Sequence, residues 1–182
     1  MTIAYVKANN RLNKDKNRVL YVQEDLMISV YLFDWGDTLM VDFPDATGKM
    51  CNWEVVEAVS GAKKALEELS KHSQVYIATG AADSTELDIK RAFYRVGLSQ
   101  FISGYFCKAN LGLSKGSPQF FESILNKLNV SSESVAMVGD NLEKDIKPAI
   151  SAGIQPIWFT QCDTGVELDN VKVIKNLREL YM

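Results

Sequence analysis

Ile28-Ser29-Val30-Tyr31-Leu32-Phe33-Asp34 is the stretch that decides the fold. An apolar run of strand length ends abruptly at a carboxylate. A run this continuous suits a strand buried on both faces, which is the habit of parallel sheets. Downstream, strand-length runs alternate with longer segments of helical period. Trp53–Ser70 is predicted as a helix, with Val55, Val56, Val59, Ala62, Leu66 and Leu69 at three- and four-residue steps. Gln74–Thr79 is predicted as a strand, and Ser84–Val96 as a helix capped by Ser84 and stopped by Gly97. Tyr105–Cys107 follows as a short strand, and Pro118–Leu128 as a helix opened by proline. Val135–Val138 and Ile157–Phe159 read as strands around a helix, Leu142–Ala152, that Gly153 closes. Val171–Ile174 and Leu177–Tyr181 finish the chain. This alternation predicts an α/β fold of three layers, a parallel sheet with helices on both faces.

Residues 1–27 stand apart as an extension before a domain over 28–182. Ile3–Val6 and Val19–Gln23 suit a hairpin around the polar turn Asn9–Asn17. An edge element, a dimer contact and an upstream start of little consequence all remain open for it.

Composition excludes several classes. A formal net charge of −3 with interspersed signs offers no grip for nucleic acid. The longest apolar stretch, Leu26–Phe33, is too short to cross a bilayer, so no membrane partner is expected. Cys51, Cys107 and Cys162 lie far apart, with no CxxC pair or Cys/His ligand spacing, so the expected home is a reducing cytoplasm. His72, the only histidine, reads as a surface residue at a helix end.

In open parallel sheets, ligands bind beyond the carboxyl ends of the strands. Polar residues that follow strands directly are therefore the candidates. Four motifs meet that test in order: Phe33-Asp34-Trp35-Gly36-Asp37-Thr38-Leu39, Ile77-Ala78-Thr79-Gly80, Ser114-Lys115-Gly116-Ser117-Pro118-Gln119-Phe120-Phe121, and Met137-Val138-Gly139-Asp140-Asn141-Leu142-Glu143-Lys144-Asp145. A carboxylate at a strand end can attack phosphorus and form an aspartyl phosphate. Nucleophile and substrate are both anions, and a Mg²⁺ ion with oxygen ligands removes their repulsion. Asp34 and Asp140 supply carboxylates for it, with Asp145 one helical turn further on. The Thr79 hydroxyl and the backbone N–H groups at Gly80 suit phosphoryl oxygens. Lys115 suits the charge that builds in the transition state. Singly, each of these residues is better explained as a turn, a helix cap or a solvated lysine. Their shared order at strand ends outweighs those readings.

The pattern resembles the haloacid-dehalogenase-like (HAD) superfamily of hydrolases, from about Ile28 to Phe159. Gly139 through Ile146 carries the most specific similarity, extended by Pro148-Ala149-Ile150-Ser151-Ala152-Gly153. Lys115 through Phe121 keeps the family's Lys-x-x-Pro-x-x-Phe spacing. The resemblance implies a Rossmann-like sheet, Asp34 as nucleophile, Thr79 and Lys115 as phosphate ligands, and Asp140 as a Mg²⁺ ligand. It also implies metal support from Asp145 and from the Gly36 carbonyl. The function implied is a Mg²⁺-dependent phosphatase acting on a small phosphorylated substrate.

Two departures matter. Phosphatases of the family carry a second Asp two residues after the nucleophile, which protonates the leaving alkoxide. Here that position is Gly36, and the Asp stands at 37. General acid help is worth roughly 100- to 10,000-fold. Asp37 is the first candidate to supply it, with Asp42 and Asp45 behind. A substrate with a good leaving group, or a weak enzyme, are the alternatives. Secondly, about 45 residues separate Asp34 from Thr79, which leaves no room for a large cap domain. An uncapped site points to a homo-oligomer that covers it, or to a large substrate. It also disfavours a dehalogenase or a phosphonate hydrolase, whose caps take part in the chemistry. A regulatory module that kept the site without efficient turnover is the competing reading. A signalling receiver domain would place its paired acids before the phosphorylated Asp, and here they come last.

Overall fold

The computed structural model describes residues 27–162, 165 and 168–182. The hairpin expected before residue 27 lies outside them. Among the described residues, six strands form one sheet: β1 (Val30–Phe33), β2 (Gln74–Ala78), β3 (Gly104–Phe106), β4 (Val135–Gly139), β5 (Gln155–Phe159) and β6 (Lys172–Ile174). Their order is β3-β2-β1-β4-β5-β6, and every neighbouring pair is parallel. The chain runs outward from β1 to β3, then returns to build β4 to β6 on the other side. The reversal leaves a crevice beyond the ends of β1 and β4, where such sheets bind ligands.

The helices are α1 (Ala62–Leu69), α2 (Glu86–Arg95), α3 (Lys108–Leu111), α4 (Pro118–Leu128) and α5 (Lys147–Ser151). Strand side chains alternate between two cores. Val30, Leu32, Val135 and Met137 pack with Phe120, Phe121 and Ile124 of α4 and Ala149 of α5. Phe33, Val75, Ile77, Ala136 and Val138 pack with Ala65 and Leu66 of α1 and Ile89 and Phe93 of α2. Burial on both faces is the reason the strand sequences show no polar alternation. Among the described residues, no helix is long and apolar enough to cross a membrane.

α4 keeps its predicted bounds, with Pro118 at its start and Asn129 in the left-handed conformation at its end. The helix predicted from Trp53 begins only at Ala62. Gly61, at φ +84°, turns the chain into it. The apolar residues before Gly61 serve another purpose. Val59 N–H donates to Leu39 O and Val41 N–H to Glu57 O, so this stretch pairs with the loop after β1. Contacts to that loop imitated a helical period. α2 is capped by Thr85 rather than Ser84: its hydroxyl accepts from Asp88 N–H, and the Asp88 carboxylate accepts from Thr85 N–H. The helix predicted over Leu142–Ala152 opens with a π-helical turn, Leu142–Ile146, before α5. Pro148 has no N–H to give Lys144, so the usual α-helical ladder cannot run through. Such widened turns are frequent at functional sites.

Residues 34–61 hold one 3-10 turn, Met50–Asn52, and no inserted domain. Their far end is tied to α2 by Arg95, whose guanidinium donates to the carbonyls of Trp53 at 2.5 Å and Glu54 at 2.9 Å.

Candidate active site

Asp34 continues β1 by one residue, and its N–H donates to Val138 O at 2.9 Å. That pairing sets its carboxyl at the crevice beside β4. Lys115 arrives from the loop before α4, with its ammonium 2.5 Å from Asp34 Oδ1 and 2.6 Å from Asp145 Oδ1. Its side chain is 1% exposed, so the charge is removed from water and held by two carboxylates. Burial pushes the Asp34 carboxyl up, to about 6, against the pull of Lys115; Asp145 and Asp140 add to the rise. Burial works on Lys115 in the opposite sense, but the two carboxylates outweigh it and hold the ammonium above its usual range.

Asp145 lies inside the π-helical turn, and its Oδ2 accepts the Asn141 N–H at 3.0 Å. Its position explains Gly139. A Cβ there would sit 2.3 Å from Asp145 Oδ2, so only glycine allows the carboxylate this close to the end of β4. Asp140 accepts from the Thr38 hydroxyl at 3.2 Å, and its carbonyl accepts the Trp158 indole N–H at 2.9 Å. Burial and the nearby Asp145 raise its pKa. One ligand oxygen each from Asp34, Asp140 and Asp145 lies within 4.8 Å of the others. Three carboxylates beside one ammonium leave net negative charge, and an all-oxygen donor set fits a hard divalent cation.

Thr79 is buried at the end of β2. Its N–H donates to Phe106 O, and its hydroxyl accepts the Ala81 N–H at 3.0 Å. Gly80 follows against the stem of Lys115, where a Cβ would meet Lys115 Cβ at 3.7 Å. Thr79, Gly80, Lys115, Asp34, Asp140 and Asp145 all border one cleft of about 390 Å³. Gly36 and Asp37 border it too.

Asp37 is committed to the backbone. It holds φ +51°, its N–H donates to Met40 O at 2.7 Å, and its Oδ1 accepts the Asp42 N–H at 2.9 Å. These bonds shape the turn at residues 35–40. The Asp42 carboxylate also enters the cleft, and burial together with Asp37 raises its pKa. Asn141 and Lys144 are cleft residues that the sequence reading did not single out. Both lie inside the fourth motif, and that position was the only available signal. Asn141 accepts from the N–H groups of Glu143 and Lys144 and so opens the π-helical turn.

Sheet order, switch point and the acid–lysine cluster together define a Rossmann-like α/β protein with a catalytic-type crevice at the ends of β1 and β4. The haloacid dehalogenase-like hydrolase model matches residues 52–153, and the chain belongs to that family. The matched range holds Thr79, Lys115, Asp140 and Asp145, while Asp34 precedes it. Phosphoserine phosphatase of Thermus thermophilus is 32% identical over 82 residues, which cover 45% of this chain and 32% of that protein. The chain spans between 26% and 53% of the length of the curated relatives it matches. An uncharacterized protein from Listeria monocytogenes serotype 4b shares the fold, with a TM-score of 0.74 at 22% identity over 84% of this chain and 94% of that one. YfnB of Bacillus subtilis, solved bound to magnesium, shares it with a TM-score of 0.68 at 17% identity over 85% of this chain and 97% of that one.

Proposed function

We propose that the protein is a Mg²⁺-dependent phosphatase that works through an aspartyl phosphate on Asp34, on a small phosphorylated substrate. One observation carries this reading. Lys115 is buried between Asp34 and Asp145 while Asp140 completes an oxygen cluster at the sheet's switch point. Asp34, Asp140 and Asp145 would hold the metal, with the Gly36 carbonyl beside them. The ion, when bound, neutralises charge between the attacking carboxylate and the phosphoryl group. Thr79 and the N–H groups after it bind phosphoryl oxygens, and Lys115 balances the charge that develops there. The identity to a phosphatase, although it covers under half of the chain, agrees with this assignment. Hydrolysis of p-nitrophenyl phosphate, with and without Mg²⁺ and alongside Asp34→Asn, is the test. Turnover that survives the substitution ends the mechanism.

The absent side chain at Gly36 favours a second reading, a module that is phosphorylated and turns over slowly. Acetyl phosphate separates the two: a phosphoprotein that persists for minutes supports the slow module, whereas rapid release of phosphate supports the enzyme. Among the described residues no inserted domain stands above the crevice, so a second copy of the chain is proposed to cover it. Sedimentation at working concentration tests that part.

A further inference from the structure

We propose that Asp42 is the residue that protonates the leaving group, standing in for the side chain that Gly36 lacks, a role that rests on the phosphatase reading above. Asp37, Asp42 and Asp45 stand in the loop after β1, and geometry separates them. A Cβ built on Gly36 would lie 3.5 Å from Asp42 Oδ2 and 3.8 Å from its Cγ. The Asp42 carboxylate therefore borders the space that a side chain at position 36 would enter. It faces the same cleft as Asp34 and Lys115. Asp45 borders a different depression, with Phe43 and Trp53. Asp37 reaches the cleft, but its Oδ1 accepts the Asp42 N–H at 2.9 Å. That bond gives Asp37 a different task, since it anchors the main chain from which Asp42 projects. Among the described residues, the Asp42 carboxylate accepts no hydrogen bond, so it is free to engage a substrate oxygen.

The chemical step balances without a further reactant. Asp34 Oδ forms a bond to phosphorus as the bond from phosphorus to the leaving oxygen breaks. The electron pair stays on that oxygen, and the Asp42 carboxyl proton goes to it, releasing an alcohol. The Asp42 carboxylate then takes a proton from the water that attacks the aspartyl phosphate, which frees Asp34 and restores the acid.

The test compares p-nitrophenyl phosphate, whose leaving anion is stable, with ethyl phosphate, whose leaving anion is not. With Mg²⁺ present, Asp42→Asn is expected to lower kcat/KM about 100-fold or more on ethyl phosphate and less than about tenfold on p-nitrophenyl phosphate. Asp37→Asn keeps an oxygen that accepts the Asp42 N–H, so it leaves the proton donor in place and is expected to show no leaving-group selectivity. Gly36 accepts a side chain, since its φ is not in the left-handed region and the nearest atom is at 3.5 Å. Gly36→Asp in the Asp42→Asn background should therefore restore ethyl phosphate turnover. A loss from Asp42→Asn that is equal on both substrates overturns the assignment, and so does a leaving-group-selective loss from Asp37→Asn. Asp34→Asn measured beside them keeps the two questions separate. Activity that survives it removes the phosphatase reading itself, whereas an unselective Asp42→Asn removes only the proton donor.

Discussion

The Thr38 hydroxyl donates to Asp140 Oδ1 at 3.2 Å, joining the loop after β1 to the end of β4 across 102 residues of chain. Thr38 is fully buried, so this bond orients one metal-candidate carboxylate relative to the turn that carries Asp37. Outer partners of this kind are worth roughly 10- to 100-fold in metal affinity. Thr38→Val keeps the shape and removes the donor. It should weaken Mg²⁺ binding by about that factor, as read by calorimetry, with little change in Tm.

Among the described residues, Lys115 is the cation that bridges Asp34 and Asp145. Lys115→Met leaves two carboxylates facing each other away from water. Removing one partner of a buried pair costs about 3–5 kcal/mol, and loss of a charge-stabilising donor costs roughly 100- to 1,000-fold in kcat. The stability loss should depend on pH. Without the ammonium, Asp34 rises further above its unfolded pKa, so its contribution to stability is present at low pH and lost as pH rises. The Tm difference from wild type should therefore be small at pH 5 and large at pH 8.

Gly139 gives way to nothing larger. A Cβ there meets Asp145 Oδ2 at 2.3 Å and Cγ at 2.5 Å. Gly139→Ala should push Asp145 out of the π-helical turn and break its bond to the Asn141 N–H. A cost of about 1–3 kcal/mol is expected from overpacking. A thermal melt reads that cost, and loss of Mg²⁺ binding in the same protein locates it at the site.

In the proposed mechanism, protons and Mg²⁺ compete for the same carboxylates. Burial raises the Asp34 carboxyl to about 6 and raises Asp140 as well. Binding of Mg²⁺ requires both as anions. Apparent affinity should be nearly constant above pH 7.5 and fall about tenfold or more per pH unit below about 6. Titrations at pH 5, 6, 7 and 8 check the slope.

The backbone of this site was legible because its residues sit where local patterns end. Asp34, Thr79 and Asp140 each follow an apolar strand, and the structure gathers all three, with Lys115 and Asp145, into one cleft. Thr38 and Asn141 were illegible for a physical reason. Their roles are single hydrogen bonds, one across the sheet and one inside a widened turn, and neither leaves a periodic trace. The loop between β1 and α1 misled the sequence reading at its far end. Val55, Val56 and Val59 suggested helix where the chain instead pairs with residues 39–41. Asp37, the first candidate for the acid, accepts the Asp42 N–H through its Oδ1, a contact within an irregular loop that leaves no sequence pattern.

By itself the sequence determined the order of strands and helices, and with it which polar residues stand at strand ends. Continuous apolar strands require a sheet covered on both faces, and that requirement is local enough to read. Only the tertiary structure decided which of those residues meet. Lys115 reaches Asp34 from 81 positions away because α4 packs beneath β1 and β4. The carboxylate bordering the gap at Gly36 comes from Asp42 because an irregular loop folds back on itself. Both outcomes depend on packing between segments that carry no pattern in common.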